Sequence, residues 1–309
     1  MDYPHISVLK EEVLESFKPM QIHRFIDGTL GAGGHAEAIL KSHPEIEQLV
    51  GIDRDQSALK IASARLMPFS GKTRFLHAQF SNALGALLKE GEGVYDGILL
   101  DLGVSSMQLD EEERGFSFRE EGPLDMRMDK SNPLTAGIIV NTYPEEELGW
   151  IFREWGEEKM WRKAAQAIVK ARLQSPLNTT KELADLMQES IRSRKPQIHA
   201  ATLVFQALRI AVNDELKAID EALPIALKLL KKGGRLAVIS FHSLEDRIVK
   251  RFFQKESLDK ESTSGIGGLF IDREPSLKTL TRKPLEATDR EVADNPRSRS
   301  AKLRVAEKL

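Results

Sequence analysis

The densest chemical signal in the chain is the run Asp27-Gly28-Thr29-Leu30-Gly31-Ala32-Gly33-Gly34-His35-Ala36. Glycines at this density let the backbone turn tightly and come close to a ligand. The Gly31-x-Gly33-x-x-Ala36 spacing fits a dinucleotide fingerprint. Asp53 stands about 20 residues further on, where an acid can hold the hydroxyls of an adenosine ribose. Together these features point to an adenosine-containing ligand, and Asp27 narrows the choice. A pyrophosphate would rest on the helix N-terminus beside it, and a carboxylate there repels phosphates. S-adenosylmethionine has no phosphate and carries an ammonium and a sulfonium, so Asp27 favours it over NAD. A plain turn-capping role for Asp27 stays open. A third acid, Asp101, heads Asp101-Leu102-Gly103-Val104-Ser105-Ser106.

Each of these acids ends a short apolar segment: Phe25-Ile26, Leu49-Val50-Gly51-Ile52 and Gly97-Ile98-Leu99-Leu100, with Phe75-Leu76 before the last. Helix-compatible stretches such as 36–42 and 56–66 separate them. The alternation predicts βαβ units and a doubly wound α/β sheet of parallel strands. Ligands of such sheets bind outside the carboxyl ends of the strands, so all three carboxylates are expected at one edge. Leu236-Ala237-Val238-Ile239 predicts a further buried strand. Ser240-Phe241-His242-Ser243 closes it at the same edge, which makes Phe241 and His242 candidates to line a substrate pocket; a core role for Phe241 is equally open.

Between these segments the pattern changes. Residues 110–132 are rich in charge, Gly and Phe and read as a long functional loop or lid. Residues 144–213 are helical by spacing, with an N-cap signal at Thr179 ahead of Leu183, Leu186 and Met187. The expected division is a discontinuous sheet domain, residues 1–112 and 214–309, interrupted by residues 113–213 as a lid loop plus an all-helical insertion that recognises substrate. A helix over 215–232 should stop at Gly233-Gly234, with Pro224 kinking or breaking it. Leu303-Arg304-Val305 suits an antiparallel edge strand, and residues 262–268 read as a mobile loop.

Composition excludes several classes. With 45 Lys+Arg against 47 Asp+Glu, the net charge of −2 is too near neutral for nucleic-acid binding by bulk charge. Local clusters remain at Arg192, Arg194 and Lys195, at Arg247, Lys250, Arg251 and Lys255, and at Arg297, Arg299, Lys302 and Arg304. Together they suffice for phosphate contacts that position an RNA. Cysteine is absent, which removes disulfides and thiolate chemistry. None of the seven histidines pairs at helical metal spacing, so no metal is expected. Gly71-Lys72-Thr73 fails as a P-loop, because Leu66 stands where its first glycine belongs. No apolar run approaches the roughly 18–20 residues that span a bilayer, and the first twelve residues lack the apolar centre of a secretory signal. A soluble, cytoplasmic protein without a membrane partner is expected.

The chemical residues lie within longer stretches that resemble a bacterial family, the ribosomal RNA small subunit methyltransferase H family. The resemblance is carried by His5-Ile6-Ser7-Val8-Leu9, Asp27 to His35, Asp101 to Ser106 with Gln108, Arg114-Gly115-Phe116-Ser117-Phe118 and Gly122-Pro123-Leu124-Asp125-Met126-Arg127-Met128. It continues through Arg209-Ile210-Ala211-Val212-Asn213, Ser240 to Arg247, and Asn295-Pro296-Arg297-Ser298-Arg299-Ser300-Ala301.

That resemblance implies a class I, Rossmann-like sheet with a helical insertion, S-adenosylmethionine as cofactor, and methylation of N4 of a cytosine in the decoding centre of 16S rRNA. The family's cofactor contacts fall on Gly33, Gly34, His35, Asp53, Phe80, Asp101 and Gln108; Asp27 and Gly31 join them from the reading of the loop. Phe80 and Gln108 rest on the resemblance alone. Exocyclic amines are poor nucleophiles, and a hydrogen-bond acceptor helps as charge develops on N4. Asp101 is the candidate catalytic acceptor. The ring that stacks on the base is sought among Phe241, Phe116 and Phe118, and Phe241, His242, Arg297 and Arg299 are the candidate substrate contacts. The implied partner is 16S rRNA or the small ribosomal subunit, and a homodimer is left open. Two other classes compete: a nicotinamide-dependent oxidoreductase, which leaves Asp27 unexplained, and a non-catalytic RNA-binding factor, which needs only the basic clusters and the helical insertion.

Overall fold

The computed structural model of the protein describes residues 7–91, 94–193, 198–262 and 270–309. Its strands are β1 (Arg24–Asp27), β2 (Gln48–Asp53), β3 (Thr73–His77), β4 (Tyr95–Asp101), β5 (Leu230–Ser240), β6 (Lys260–Ser262), β7 (Phe270–Asp272), β8 (Leu277–Thr279), β9 (Leu285–Glu286) and β10 (Lys302–Lys308). The first helices are α1 (Lys10–Phe17), α2 (Gly34–Ser42), α3 (Gln56–Arg65), α4 (Phe80–Lys89), α5 (Ser106–Asp110) and α6 (Ala136–Thr142). They are followed by α7 (Glu145–Glu154), α8 (Trp161–Arg172), α9 (Thr180–Ser190), α10 (Thr202–Asn213), α11 (Glu215–Leu229), α12 (Ser243–Glu256) and α13 (Asp289–Asp294). The chain divides into two compact units, Met1–Gly103 with Leu216–Leu309, and Val104–Glu215. The junctions fall nine residues before and two residues after those expected from the sequence.

In the first unit the main sheet has the order β3-β2-β1-β4-β5-β10-β8, with β9 on β10. Strands β1 to β5 pair in parallel, and β10 runs antiparallel to β5. This is the class I, Rossmann-like methyltransferase arrangement. The apolar runs are continuous because both faces are covered. Residues from α1, α2 and α3, among them Phe17, Ile39 and Ala62, pack in one core, and Leu84, Leu223 and Val249 from α4, α11 and α12 pack in the other. Strand order reverses between β1 and β4, and a doubly wound sheet opens its ligand crevice at such a switch point.

Several details depart from the sequence expectation. The segment Leu303–Val305 is antiparallel but not at the edge, because β8 and β9 pair with the other side of β10. Helix α11 runs through Pro224 without a break. The carbonyl that proline leaves unpaired belongs to Asp220, an exposed residue whose backbone water can satisfy. That helix also ends at Leu229 rather than Lys232: Leu230 already pairs with Tyr95, Gly97 pairs with Arg235, and the residues between bulge outward with Gly233 at φ +77°. Most of the loop expected at 262–268 lies outside the described residues.

The second unit packs α6 to α10 around Ile139, Leu148, Phe152, Ile168, Leu183, Phe205 and Leu208. The expected lid, residues 110–132, is irregular as read but is pinned rather than loose. Asn213 Nδ2 donates to the Met126 and Arg209 carbonyls at 2.8 and 2.9 Å, and its Oδ1 accepts from the Met128 N–H at 2.9 Å. The buried Arg114 guanidinium donates to the Arg127 and Met128 carbonyls. Gly122 and Thr180 exchange hydrogen bonds at the other end. The Arg209–Asn213 motif is thereby accounted for: Asn213 clamps the loop, and Arg209 forms a two-pronged pair with Glu215 at 3.0 and 2.9 Å. No helix among the described residues is long and apolar enough to cross a membrane.

Candidate active site

The loop after β1 is tied to both neighbouring strands. The Gly28 N–H donates to the Leu99 carbonyl at 2.9 Å and the Leu30 N–H to the Ile52 carbonyl at 2.8 Å. Gly31 and Gly33 hold φ of +51° and +79°, the left-handed region that a side chain disfavours. Gly33 also sits where a Cβ would press on Ala62 of α3 at 3.3 Å. A Cβ on Gly34 would lie 2.2 Å from Ser7 Oγ. The glycines therefore serve both the turn and the closeness of its surroundings.

Asp27, Asp53 and Asp101 end three adjacent strands, as expected. Their hydrogen bonding differs. Asp53 is engaged, with Oδ2 accepting from the Gly31 N–H at 2.7 Å and Oδ1 from the Asp55 N–H at 2.8 Å. Asp27 is 1% exposed, and its Oδ1 accepts from the Thr29 N–H at 3.2 Å while Oδ2 has no hydrogen-bond partner among the described residues. Asp101 Oδ2 lies 3.5 Å from His35 Nε2, and its buried Oδ1 also lacks a hydrogen-bond partner among the described residues. Among the described residues the buried His35 ring makes no regular hydrogen bond, and its contact with Asp101 is an ion pair. Thr29 joins the two strand ends: its N–H serves Asp27 and its Oγ1 accepts from the Asp101 N–H at 2.6 Å. Asp27 is the kind of residue that closes such a turn on the N–H two positions on, but nothing local in the sequence marks the Thr29 hydroxyl as the acceptor for the Asp101 N–H.

Electrostatics follow from this burial. Loss of water pushes the Asp27 carboxyl up to about 7, against the attraction of His35. Burial likewise raises Asp53, opposed by its two backbone donors. For His35, burial alone favours the neutral ring, but Asp101 and Asp27 more than offset it and hold its pKa above the usual value. Buried carboxylate oxygens without donors are rare in a finished interior. A ligand bearing an ammonium and hydroxyl donors supplies what they lack, so the residues present fit S-adenosylmethionine. An anionic phosphate does not fit beside Asp27.

The remaining candidates fall as follows. Phe80 opens α4, is buried, and its Cβ lies 3.7 Å from where a side chain on Gly28 would begin. Gln108 belongs to the second unit, where its side chain accepts from the Ser105 N–H in a capping box on α5. Phe116 and Phe118 are committed to the core of that unit, Phe118 against Phe205 and His199. Phe241 is half-buried beside Gly103, whose missing Cβ would meet its ring at 3.2 Å. His242 is the N-cap of α12, and Glu245 Oε2 in return accepts from the Phe241 and His242 N–H groups. Arg297 and Arg299 are exposed on a short turn after α13. Arg194 and Lys195 lie outside the described residues.

Comparison with known proteins agrees with this geometry. The MraW methylase family matches residues 2–309. The chain is 50% identical over 310 residues to ribosomal RNA small subunit methyltransferase H of Citrifermentans bemidjiense, covering 100% of this chain and 99% of that one. The protein of the same name from Protochlamydia amoebophila is 54% identical over 309 residues, covering 99% and 98%. In fold the chain is similar to an rRNA methylase from Streptococcus thermophilus at 11% identity and a TM-score of 0.45, with 99% of each chain covered. With a methyltransferase sheet, a glycine loop beside three strand-end carboxylates and a family match along almost its whole length, the chain belongs to the MraW methylase family of S-adenosylmethionine-dependent methyltransferases.

Proposed function

We propose that this protein transfers a methyl group from S-adenosylmethionine to N4 of one cytosine in 16S rRNA, in the decoding region of the small subunit. The observation that carries the reading is the Oδ1 of Asp101 at the carboxyl edge of the sheet, which has no hydrogen-bond partner among the described residues and whose neighbouring Oδ2 is paired with His35. The names of the relatives support rRNA of the small subunit as substrate. When bound, S-adenosylmethionine supplies an electrophilic methyl. Asp27 Oδ2 would take its ammonium and Asp53 its ribose hydroxyls, the backbone at Gly31, Gly33 and Gly34 would allow close approach, and Phe80 would flank the adenine.

The work on the amine falls to Asp101. His35 engages Oδ2 and leaves Oδ1 to accept a hydrogen from N4 as positive charge develops there, a preorganised acceptor in a water-poor setting. Phe241 is the stacking ring best placed for the base, because Phe116 and Phe118 are occupied in a core. Recognition of rRNA is assigned to the helical second unit together with Arg297 and Arg299, and the protein works in the cytoplasm.

The test is methyl transfer from radiolabelled S-adenosylmethionine to naked 16S rRNA, to small subunits and to DNA, with nucleoside analysis. Label in N4-methylated cytidine from either ribosomal substrate is the expected result. Label on another nucleoside would overturn the target.

A further inference from the structure

The outer face of α12 stands apart from the near-neutral surface. Arg247, Lys250, Arg251 and Lys255 are all exposed, and their spacing places them on one stripe of the helix. Leu244, Val249 and Phe253 fill the opposite face and are buried. The acids of the helix are withdrawn from the stripe. Glu245 is buried in the capping box, Asp246 forms a two-pronged pair with Arg304 at 2.7 and 3.0 Å, and Glu256 pairs with Arg273.

Position gives the stripe its meaning. Helix α12 begins directly after Phe241 and His242, at the end of β5, and β5 is the parallel neighbour of β4. Its N-terminus therefore starts at the edge that carries Asp101, and the cations lead away from that edge over about 12 Å from Arg247 to Lys255. We infer that this stripe is a phosphate-binding track for the RNA strand that flanks the target base. It rests on the rRNA reading above and adds a surface to it. Contacts of this kind carry no sequence information; they fix the register of the strand, while base contacts select the cytosine.

The experiment compares wild-type protein with the triple variant Lys250→Gln, Arg251→Gln and Lys255→Gln, and with a charge-matched control, Lys60→Gln, Lys89→Gln and Lys228→Gln. Binding to 16S rRNA is measured across a salt series, with S-adenosylmethionine affinity and steady-state methylation alongside. Loss of three phosphate contacts lowers the magnitude of the log Kobs against log salt slope by about 2, at roughly 0.7–0.9 per contact. The α12 variant should show this, with a raised KM for RNA, unchanged kcat and unchanged cofactor affinity, while the control keeps the wild-type slope. An unchanged slope in the α12 variant, or an equal loss in the control, overturns the track. If the slope falls as expected but the wild-type product is not N4-methylcytidine, the track stands and the target assignment fails.

Discussion

In the second unit, Asn213 gives three hydrogen bonds to the loop and its own helix, and Asp125 holds Arg127 through both carboxylate oxygens at 2.8 Å. At the sheet edge of the first unit, Asp27 and Asp101 each keep one buried oxygen without a donor among the described residues, and His35 meets Asp101 only as an ion pair at 3.5 Å. Both regions are polar, buried and dense in recognisable motifs. The clamps at Asn213 and Asp125 are met within the chain, whereas the sheet edge becomes complete only with ligands. A motif whose polar atoms are all engaged is explained by folding. One whose buried atoms have nothing to bond points outward to what it binds.

This contrast can be broken by substitution. The largest effect should come from Asp101→Asn, which keeps the shape but replaces the charged carboxylate acceptor with a neutral amide. We expect kcat for methyl transfer to fall about 100-fold or more, in the range of losing one preorganised electrostatic contact, with cofactor affinity changed far less. A uniform loss of cofactor binding instead would place Asp101 with the cofactor alone. Next comes Asn213→Ala, which strands buried backbone groups of the 126–128 loop. Urea denaturation should show a loss of about 2–4 kcal/mol, and the cofactor titration of the folded protein should not move.

Asp27→Asn is the sharpest probe of the idle oxygen. It should weaken S-adenosylmethionine binding about tenfold and yet raise the melting temperature of the cofactor-free protein, because an unpaired buried charge is removed. A variant that lowers both would mean that Asp27 serves folding. The pH dependence follows from the same group. Its folded pKa of about 7 lies above the ordinary value of 3.8, so the folded state retains a proton that the unfolded chain has released. Stability of the cofactor-free protein should therefore decline as pH rises from about 4 to 7 and then level off. Cofactor affinity should rise with pH through about 7, since the ammonium prefers the ionised carboxylate. Calorimetry in buffers of different ionisation heat would detect the released proton, and Asp27→Asn should flatten both profiles. The smallest effect is expected from Gly33→Ala, about 1–2 kcal/mol of stability from a strained left-handed backbone.

The edge was legible in the sequence because its signals are local. Apolar runs ending in Asp27, Asp53 and Asp101 need only the rule that ligands gather at strand carboxyl ends. What stayed hidden depends on partners far along the chain. Nothing near Leu303 announces that β8 and β9 will cover β10, and nothing near residue 120 announces that Asn213 will clamp the loop. Proline at 224 misled because its cost depends on whether water can reach one carbonyl. Phe116 and Phe118 looked like stacking rings until a core claimed them. For His242 and Glu245, the run His-Ser-Leu-Glu was a capping box in plain view, obscured by the chemical appeal of histidine.

The insertion of residues 104–215 between β4 and β5 also has a temporal consequence. A nascent chain makes β1 to β4 first, and the flank of β4 must wait for β5 while the whole second unit is translated. At about 5–20 residues per second that interval lasts roughly 6–20 s, during which an apolar strand presents an unpaired edge. The helical unit, rich in local contacts, has time to fold within the wait. The strand bearing Asp101 gains its β5 neighbour only afterwards, so ligand binding at this edge should be among the last properties the polypeptide acquires during synthesis.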